Sequence, residues 1–149
     1  MTIAVRAVAE ARRWIGTPYR HGGSSFQIGC DCLGLVRGVW RALYDREPEA
    51  VPAYSGDWAE TGKGDPLIDA ACRHMLAKDI AAITTGDLII FRWRDGMAAK
   101  HLGIVTTPHH FVHAYEGHAV LESALVPQWR RRIAAVFAFP DHPMNRSGV

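Results

Sequence analysis

The chain has 149 residues, a formal net charge of +2 and a mean hydropathy of −0.05, which is typical of one water-soluble globular domain. So small a charge gives no support to nucleic-acid binding, and no apolar run reaches the ~18 residues that a membrane-spanning helix needs. The three cysteines are an odd number, and Cys30 and Cys32 lie too close in sequence for an unstrained bridge, so they do not form a disulfide framework.

The first predicted element is a helix over residues 3–15. Gly16 and then Pro18 follow it in the order that ends a helix. Arginine and glutamate side chains interrupt the segment, which therefore lacks the apolar core of a signal peptide. We expect a protein made in the cytoplasm without a signal peptide. The apolar residues on one helical face are Ala4, Ala7, Val8, Ala11, Trp14 and Ile15.

A second amphipathic helix is predicted to begin at Cys32 and to run to about Asp45. Asp31 is a good N-cap, and apolar residues recur behind it at Val36, Val39, Trp40 and Leu43. A thiol in the first turn of a helix lies at the positive end of the macrodipole, which favours the thiolate. A buried structural cysteine does not need this position, so Cys32 is the first candidate for chemistry. We interpret Cys30 as a bystander.

The segment from Arg46 to Gly64 is predicted to be a loop that forms one wall of a cleft, because loops of this length are often functional. Asp65 and Pro66 then open a third helix in the preferred order of N-cap and first helical residue. We expect this helix to bury Ile68, Ala71, Cys72 and Met75, which makes Cys72 an ordinary core residue.

After residue 87 the pattern becomes strand-like. Short runs rich in β-forming residues are separated by turn residues. Helices first and consecutive strands afterwards predict an α+β fold, with N-terminal helices packed on an antiparallel sheet of about five or six strands. The tail 141–149 has the composition of a disordered segment, and we expect a partner chain to hold it in place. The predicted strands are Leu88–Trp93, His101–Thr106, Phe111–Tyr115, Ala119–Ser123 and Ile133–Phe139.

Two histidines lie in apolar strands that should form one hairpin. His101 opens its strand and His113 lies within the next one, so one imidazole can hydrogen-bond the other. A cysteine nucleophile needs a nearby base, and histidine is the usual one. Two alternatives stay open: the histidines are structural, or they bind Zn²⁺ together with Cys30 and Cys32. The Cys-x-Cys spacing is tighter than the usual pair of zinc ligands, which disfavours the zinc site.

Five blocks of sequence resemble the NlpC-type cysteine peptidases, papain-like enzymes that cut the peptide stems of bacterial peptidoglycan. The resemblance runs from about residue 5 to residue 125. It implies a papain-like α+β fold, one peptidase domain over residues 1–149 with a core of about 5–140, and no cofactor or metal. The blocks, in chain order, are Tyr19–Gly23, Asp31–Val36, Gly86–Phe91, His101–Val105 and Phe111–Ala114.

The resemblance also implies roles for individual residues. Cys32 is the expected nucleophile, His101 the base and His113 the residue that orients it, while Tyr19 helps to hold the substrate or the oxyanion. The bond cut would join γ-D-glutamate to a diamino acid. Separately, Arg20 and His21 are hypothetical ligands for a substrate carboxylate, and arginine suits that role because it makes bidentate hydrogen bonds with such groups. An N-acetylmuramoyl-L-alanine amidase, an acyltransferase and a structural tail protein remain alternatives.

The compact form resembles the stand-alone versions found in phage tails and gene transfer agents. This implies tail-tip or baseplate partners, and a protein carried on a virion or tail particle that acts in the periplasm of the target cell. The basic segment Trp129–Arg132 either faces an anionic wall polymer or is a solvated strand edge, and we favour the edge.

Overall fold

A computed structural model describes residues 1–49 and 64–143. The predicted loop 46–64 therefore lies mostly outside the described residues, as does most of the tail 141–149. The helices are α1 (Ile3–Arg13), α2 (Cys32–Tyr44), α3 (Pro66–His74) and the short α4 (Pro127–Arg130), with a 3₁₀ turn at Ile80–Ala82. The strands are β1 (Ser24–Ser25), β2 (Gly29–Cys30), β3 (Leu76–Lys78), β4 (Leu88–Phe91), β5 (His101–Thr107), β6 (His110–Ala114), β7 (Val120–Ala124) and β8 (Ile133–Ala138).

In the part of the chain that the structure describes, the main sheet has six strands in the order β3-β8-β4-β5-β6-β7, and every neighbouring pair is antiparallel. The predicted α+β class, with helices on an antiparallel sheet of five or six strands, is confirmed. Two features were not predicted: strand β3 at one edge, and the small hairpin of β1 and β2 before the second helix. None of the helices in the described ranges has the length and apolar character to cross a bilayer.

Helix α1 ends earlier than predicted, at Arg13. Trp14 is buried as expected, but Ile15 is 44% exposed, because the chain has already left the helical path at this point. The Trp14 ring packs directly on α2 at Gly38, where an added Cβ would lie 2.1 Å from the ring. The absence of a side chain at Gly38 therefore lets the two helices come together.

Helix α3 buries a different face from the predicted one. Leu67, Ala71 and Met75 are buried at a spacing of four residues, whereas Cys72 is exposed. The prediction that Cys72 belongs to the core is wrong, because the helix is rotated so that Leu67 rather than Cys72 faces the interior. Asp65 stands at the N-cap position, but its carboxylate accepts a hydrogen bond from the Ala99 N–H instead of capping the helix.

The central strands are buried on both faces. One face packs against α1 and α2, and the other carries a second apolar cluster. The β5–β6 hairpin pairs Ile104 with Val112, and in this register His113 lies diagonally across from His101. The members of the second cluster are Ile89, Phe91, Val105, Phe111, Leu125 and Val136, with Trp129 packed against them.

The basic segment Trp129–Arg132 is not a strand edge, which corrects the favoured prediction. Its first residues belong to α4, and the Arg130 guanidinium donates hydrogen bonds to the carbonyls of Leu125 and Pro108, at 2.9 and 3.0 Å. Trp129 packs inward on the sheet. The segment is thus a short helix that covers part of the sheet. Hydrogen bonds from Arg130 to main-chain carbonyls hold it there, and no local sequence pattern predicts them.

Candidate active site

Asp31 joins the start of α2 to the loop that precedes it. One carboxylate oxygen accepts a hydrogen bond from the Gly34 N–H at 2.7 Å, which is the predicted N-cap. The other oxygen accepts from the Gly22 N–H at 2.8 Å. Asp31 is only 3% exposed. One buried carboxylate therefore fixes both the first turn that carries Cys32 and the loop beside it.

The same loop packs on the helix at Gly34. An added Cβ at Gly34 would lie 1.7 Å from the Gly23 carbonyl oxygen, so any side chain there would push the loop away. The Ser24 hydroxyl also donates a hydrogen bond to the Gly34 carbonyl at 2.7 Å. These contacts place the loop, including Tyr19, next to Cys32.

The Cys32 sulfur lies against the backbone at the start of β5. The Cys32 thiol donates a hydrogen bond to the Lys100 carbonyl oxygen at 3.7 Å, and the backbone N–H of Leu102 lowers the pKa of the thiol. Lys100 and Leu102 are the two neighbours of His101 in the chain. The sheet thus brings the predicted nucleophile and the predicted base to one place, although they are far apart in the sequence.

The two histidines form the hydrogen bond that the hairpin predicts. His101 Nε2 lies 2.8 Å from His113 Nδ1, and both residues are buried, at 4% and 1% exposure. Because Nε2 of His101 is engaged by His113, Nδ1 is the nitrogen left for proton exchange with Cys32. His113 Nε2 lies 2.8 Å from the Ser123 hydroxyl oxygen, so the series of hydrogen bonds continues from His101 through His113 to Ser123.

Aromatic rings enclose the histidine pair. Trp93 stacks on His101 with a centroid separation of 5.4 Å, and Trp129 contacts His101 at 5.6 Å and His113 at 5.2 Å. No sequence motif indicated that Ser123 belongs to this site, and Trp129 was considered only as part of the basic segment Trp129–Arg132. Ser123 could have been found from the β6–β7 register, which puts it diagonally across from His113; Trp129 depends on the path of α4, which has no such signal.

Burial favours the neutral forms of the two candidate catalytic residues, Cys32 and His101. It raises the pKa of the Cys32 thiol, and the charge of Asp31 raises it further, while the N–H groups of Leu102, Leu33 and Cys32 itself lower it. The helix start thus acts in the predicted direction but is outweighed. Burial also lowers the pKa of the His101 imidazole, and so does the neighbouring His113. Both shifts oppose the thiolate that the start of the helix favours.

A cleft of about 430 Å³ opens in front of Cys32 and His101. Tyr19 lines it, and burial raises the pKa of the Tyr19 phenol to about 12, so the phenol keeps its proton as a hydrogen-bond donor. Arg20 is not among the lining residues; it is exposed, and its aliphatic carbons lie over Gly29. The other lining residues are His21, Asp31, Leu33, Trp93, Lys100, Ala114, Tyr115 and Glu116.

The zinc alternative finds no support in this geometry. Within residues 1–49 and 64–143, no group of three or more histidine, cysteine, aspartate or glutamate side chains is arranged to hold a metal ion. Cys30 is fully buried, and burial raises the pKa of its thiol to about 12.

Comparison with known proteins finds a family match over most of the chain. The model of the NlpC/P60 family matches residues 16–137. The murein DD-endopeptidase MepS/murein LD-carboxypeptidase of Escherichia coli is 31% identical over 128 residues, which are 85% of this chain and 58% of that protein. The gamma-D-glutamyl-L-lysine dipeptidyl-peptidase of Bacillus subtilis is 32% identical over 88 residues, which are 59% of this chain and 24% of that protein. The chain thus spans less than two thirds of either relative's length.

A solved structure has the same fold. The NlpC/p60 domain of the peptidoglycan hydrolase SagA superposes with a TM-score of 0.62 at 23% identity, over 91% of this chain and 98% of that one. At this identity the likeness establishes the fold alone.

Proposed function

Because this chain belongs to the NlpC/P60 family, we propose that it is a cysteine peptidase that hydrolyses the stem peptides of peptidoglycan. One observation carries the proposal: Cys32, at the start of α2, shares a cleft with His101, whose Nε2 is held 2.8 Å from His113. A nucleophile, a base and a group that orients the base are the minimum set for acyl transfer through a thioester.

The first step is attack of the Cys32 sulfur on the amide carbonyl carbon. The resting thiol is neutral, so its proton passes to Nδ1 of His101 as the carbon–sulfur bond forms. His113 accepts the hydrogen bond from Nε2 of His101 and so stabilises the imidazolium that results. The low pKa of His101 does not prevent this step, because the imidazolium is needed only while the negative charge is on the substrate.

Two donors are available for the oxyanion. The Cys32 N–H lies at the helix start, where backbone N–H groups have no partner within the helix. The Tyr19 phenol is the second donor and stays protonated across the physiological range. His101 then gives its proton to the leaving amine, and water hydrolyses the thioester, which returns the proton to the Cys32 sulfur.

We propose that the bond cut joins γ-D-glutamate to the diamino acid. The cleft carries both signs of charge, with Lys100 and Glu116 in its walls, and a diamino acid in a stem peptide offers both a carboxylate and an amine. One relative is named for a γ-D-glutamyl bond, whereas another is named as a DD-endopeptidase, so the bond needs a direct test. Arg20 has no part in this proposal, because it does not line the cleft.

Digestion of purified muropeptides tests the proposal, with the products identified by mass spectrometry. We expect wild type to cut between D-glutamate and the diamino acid, and Cys32→Ala to be inactive. Cys72→Ala is the matched control, because Cys72 is exposed on α3 and should not affect cleavage. Cleavage at the muramoyl–alanine amide would keep the nucleophile but make the enzyme an amidase. Intact muropeptides after incubation with wild type would refute the peptidase and favour a structural protein.

We also propose that the enzyme is carried on a phage-like tail or gene transfer agent, next to tail-tip or baseplate proteins. It would act in the periplasm of the target cell and open a local passage through the cell wall. The support is the sequence resemblance of this domain to family members found in such particles. A mass-spectrometric inventory of purified particles checks it, since the protein should co-purify with tail proteins at a fixed ratio. Particles that lack it would contradict the proposal.

A further inference from the structure

We infer that Ser123 is a positioning residue of the active site. Its hydroxyl oxygen accepts a hydrogen bond from the Nε2–H of His113 and thereby determines which nitrogen of His101 is free to act as the base. The inference deepens the proposed function and rests on it for the role of His101. It stands on a chain of two hydrogen bonds, each 2.8 Å between heavy atoms, from His101 through His113 to Ser123.

The number of protons on each imidazole determines which group donates and which accepts in these two hydrogen bonds. A neutral imidazole carries one N–H. For His101 to accept the Cys32 proton at Nδ1, its own proton must be on Nε2, where it is donated to His113 Nδ1. The proton of His113 is then on Nε2, which needs an acceptor, and the Ser123 oxygen lies at hydrogen-bond distance.

The same requirement holds after proton transfer. The His101 imidazolium donates from both nitrogens, so His113 still accepts at Nδ1 and still donates to Ser123. In the opposite arrangement Ser123 donates to His113, His113 donates to His101, and His101 carries its proton on Nδ1. That form cannot take the proton of Cys32. Both working states therefore need position 123 as an acceptor.

Burial gives this acceptor its importance. His113 is 1% exposed and lies among the rings of Phe111, Tyr115 and Trp129, so water does not readily replace a missing partner. Ser123 comes from β7, a different strand from either histidine, and its contact with His113 is diagonal in the β6–β7 register. The hydroxyl is thus placed by the sheet and not by a mobile loop.

The variants Ser123→Ala and Ser123→Thr test the inference, because only the second keeps the hydroxyl. We expect Ser123→Ala to lower kcat on muropeptides by about 5- to 100-fold with little change in KM, as the loss of a hydrogen bond to a buried group implies. Ser123→Thr should recover most of kcat. Equal activity of wild type and Ser123→Ala, or equal loss in both variants, would overturn the inference.

A second measurement reports the protons directly and does not require activity. Nitrogen-15 NMR of the imidazoles distinguishes the two neutral tautomers. In wild type we expect both His101 and His113 to be protonated at Nε2, and in Ser123→Ala we expect a fraction of His113 to move its proton to Nδ1. Protonation of wild-type His113 at Nδ1 would overturn the inference even in an active enzyme. The expected tautomers in a protein that leaves muropeptides intact would instead locate the failure in the proposed substrate.

If Ser123→Ala does not fold, the wild-type tautomers and the activity of Ser123→Thr still decide the question. Urea unfolding of each variant shows whether a loss of kcat reflects lost fold. A purely structural serine would change the unfolding midpoint and leave the tautomers of the histidines as they are in wild type.

Discussion

Replacing Asp31 with Asn should weaken the fold and at the same time make the nucleophile more reactive. The Asp31 carboxylate accepts two backbone hydrogen bonds, from Gly34 and Gly22, at 2.7 and 2.8 Å. An asparagine amide has one acceptor oxygen, so one of these N–H groups would face an NH₂ group and lose its partner. A buried unsatisfied donor costs about 1–3 kcal/mol, and loss of the charge weakens the bond that remains.

We therefore expect Asp31→Asn to lower the free energy of unfolding by about 2–3 kcal/mol. For a domain of this size that corresponds to a fall in Tm of roughly 5–10 °C. Urea unfolding measures the free energy directly. Asp79→Asn is the matched control, because it removes the same charge at an exposed residue whose side chain caps nothing, and it should change stability by under ~0.5 kcal/mol.

The second effect of Asp31→Asn concerns the Cys32 thiol, which should become more reactive although the fold becomes less stable. The charge of Asp31 raises the pKa of Cys32, so its removal should lower that pKa, although burial remains the larger influence. The pH dependence of alkylation by iodoacetamide, resolved at Cys32 by mass spectrometry in a Cys72→Ala background, measures the change. A stability unchanged within ~0.5 kcal/mol, or a thiol pKa that rises, would refute the argument.

Three further predictions concern the helix contact and the histidine pair. Gly38→Ala should destabilise the protein by about 1–3 kcal/mol in urea unfolding, because its Cβ would lie 2.1 Å from the buried Trp14 ring. Unfolding should become easier as pH falls below about 6.5, by up to about 1.4 kcal/mol per pH unit for each of His101 and His113. Burial lowers the pKa of both in the native state, so the unfolded chain binds more protons. Trp129→Ala should raise the pKa of His113 in an NMR titration, because water would reach the buried pair.

A specific experimental result would contradict each of these three predictions. A Gly38→Ala variant as stable as wild type would show that the helices separate at no cost. A free energy of unfolding that is the same at pH 7.5 and pH 5 would refute the argument that both histidines are neutral in the folded protein. His113→Asn should reduce the slope of the free energy of unfolding against pH, and His109→Gln, at an exposed residue, should preserve it. Trp129→Phe is the conservative control, since a ring at that position keeps most of the cover over His113.

Local patterns were enough to predict the frame of the site. The start of α2 follows from Asp31, whose cap is made within one turn of the helix. The meeting of His101 and His113 follows from the hairpin, because alternation puts both side chains on one face of the sheet. These features depend on residues that are close in sequence or paired by a short turn, and such contacts are visible without the rest of the fold.

What depends on long-range packing was not predicted. The rotation of α3, which exposes Cys72 and buries Leu67, is set by the surface beneath the helix and not by its own periodicity. The cover made by Trp129 depends on where α4 crosses the sheet. The effect of the helix start on the pKa of Cys32 was predicted with the right direction, but the larger opposing effect of burial was not predicted, because burial depends on how the rest of the chain packs around the thiol.

Retention of the proton by Cys32 also bears on how long this thiol survives in the presence of oxidants. The thiolate is the form that attacks peroxides and disulfides, and it is only a few per cent of the thiol at pH 7 even at the ordinary pKa of ~8.5; the raised pKa of Cys32 makes that fraction smaller still. Asp31, which secures the loop, thus also shields the nucleophile from oxidation. Oxidation of Cys32 by hydrogen peroxide should accordingly be faster in Asp31→Asn than in wild type, so the residue that makes the thiol less reactive also preserves it.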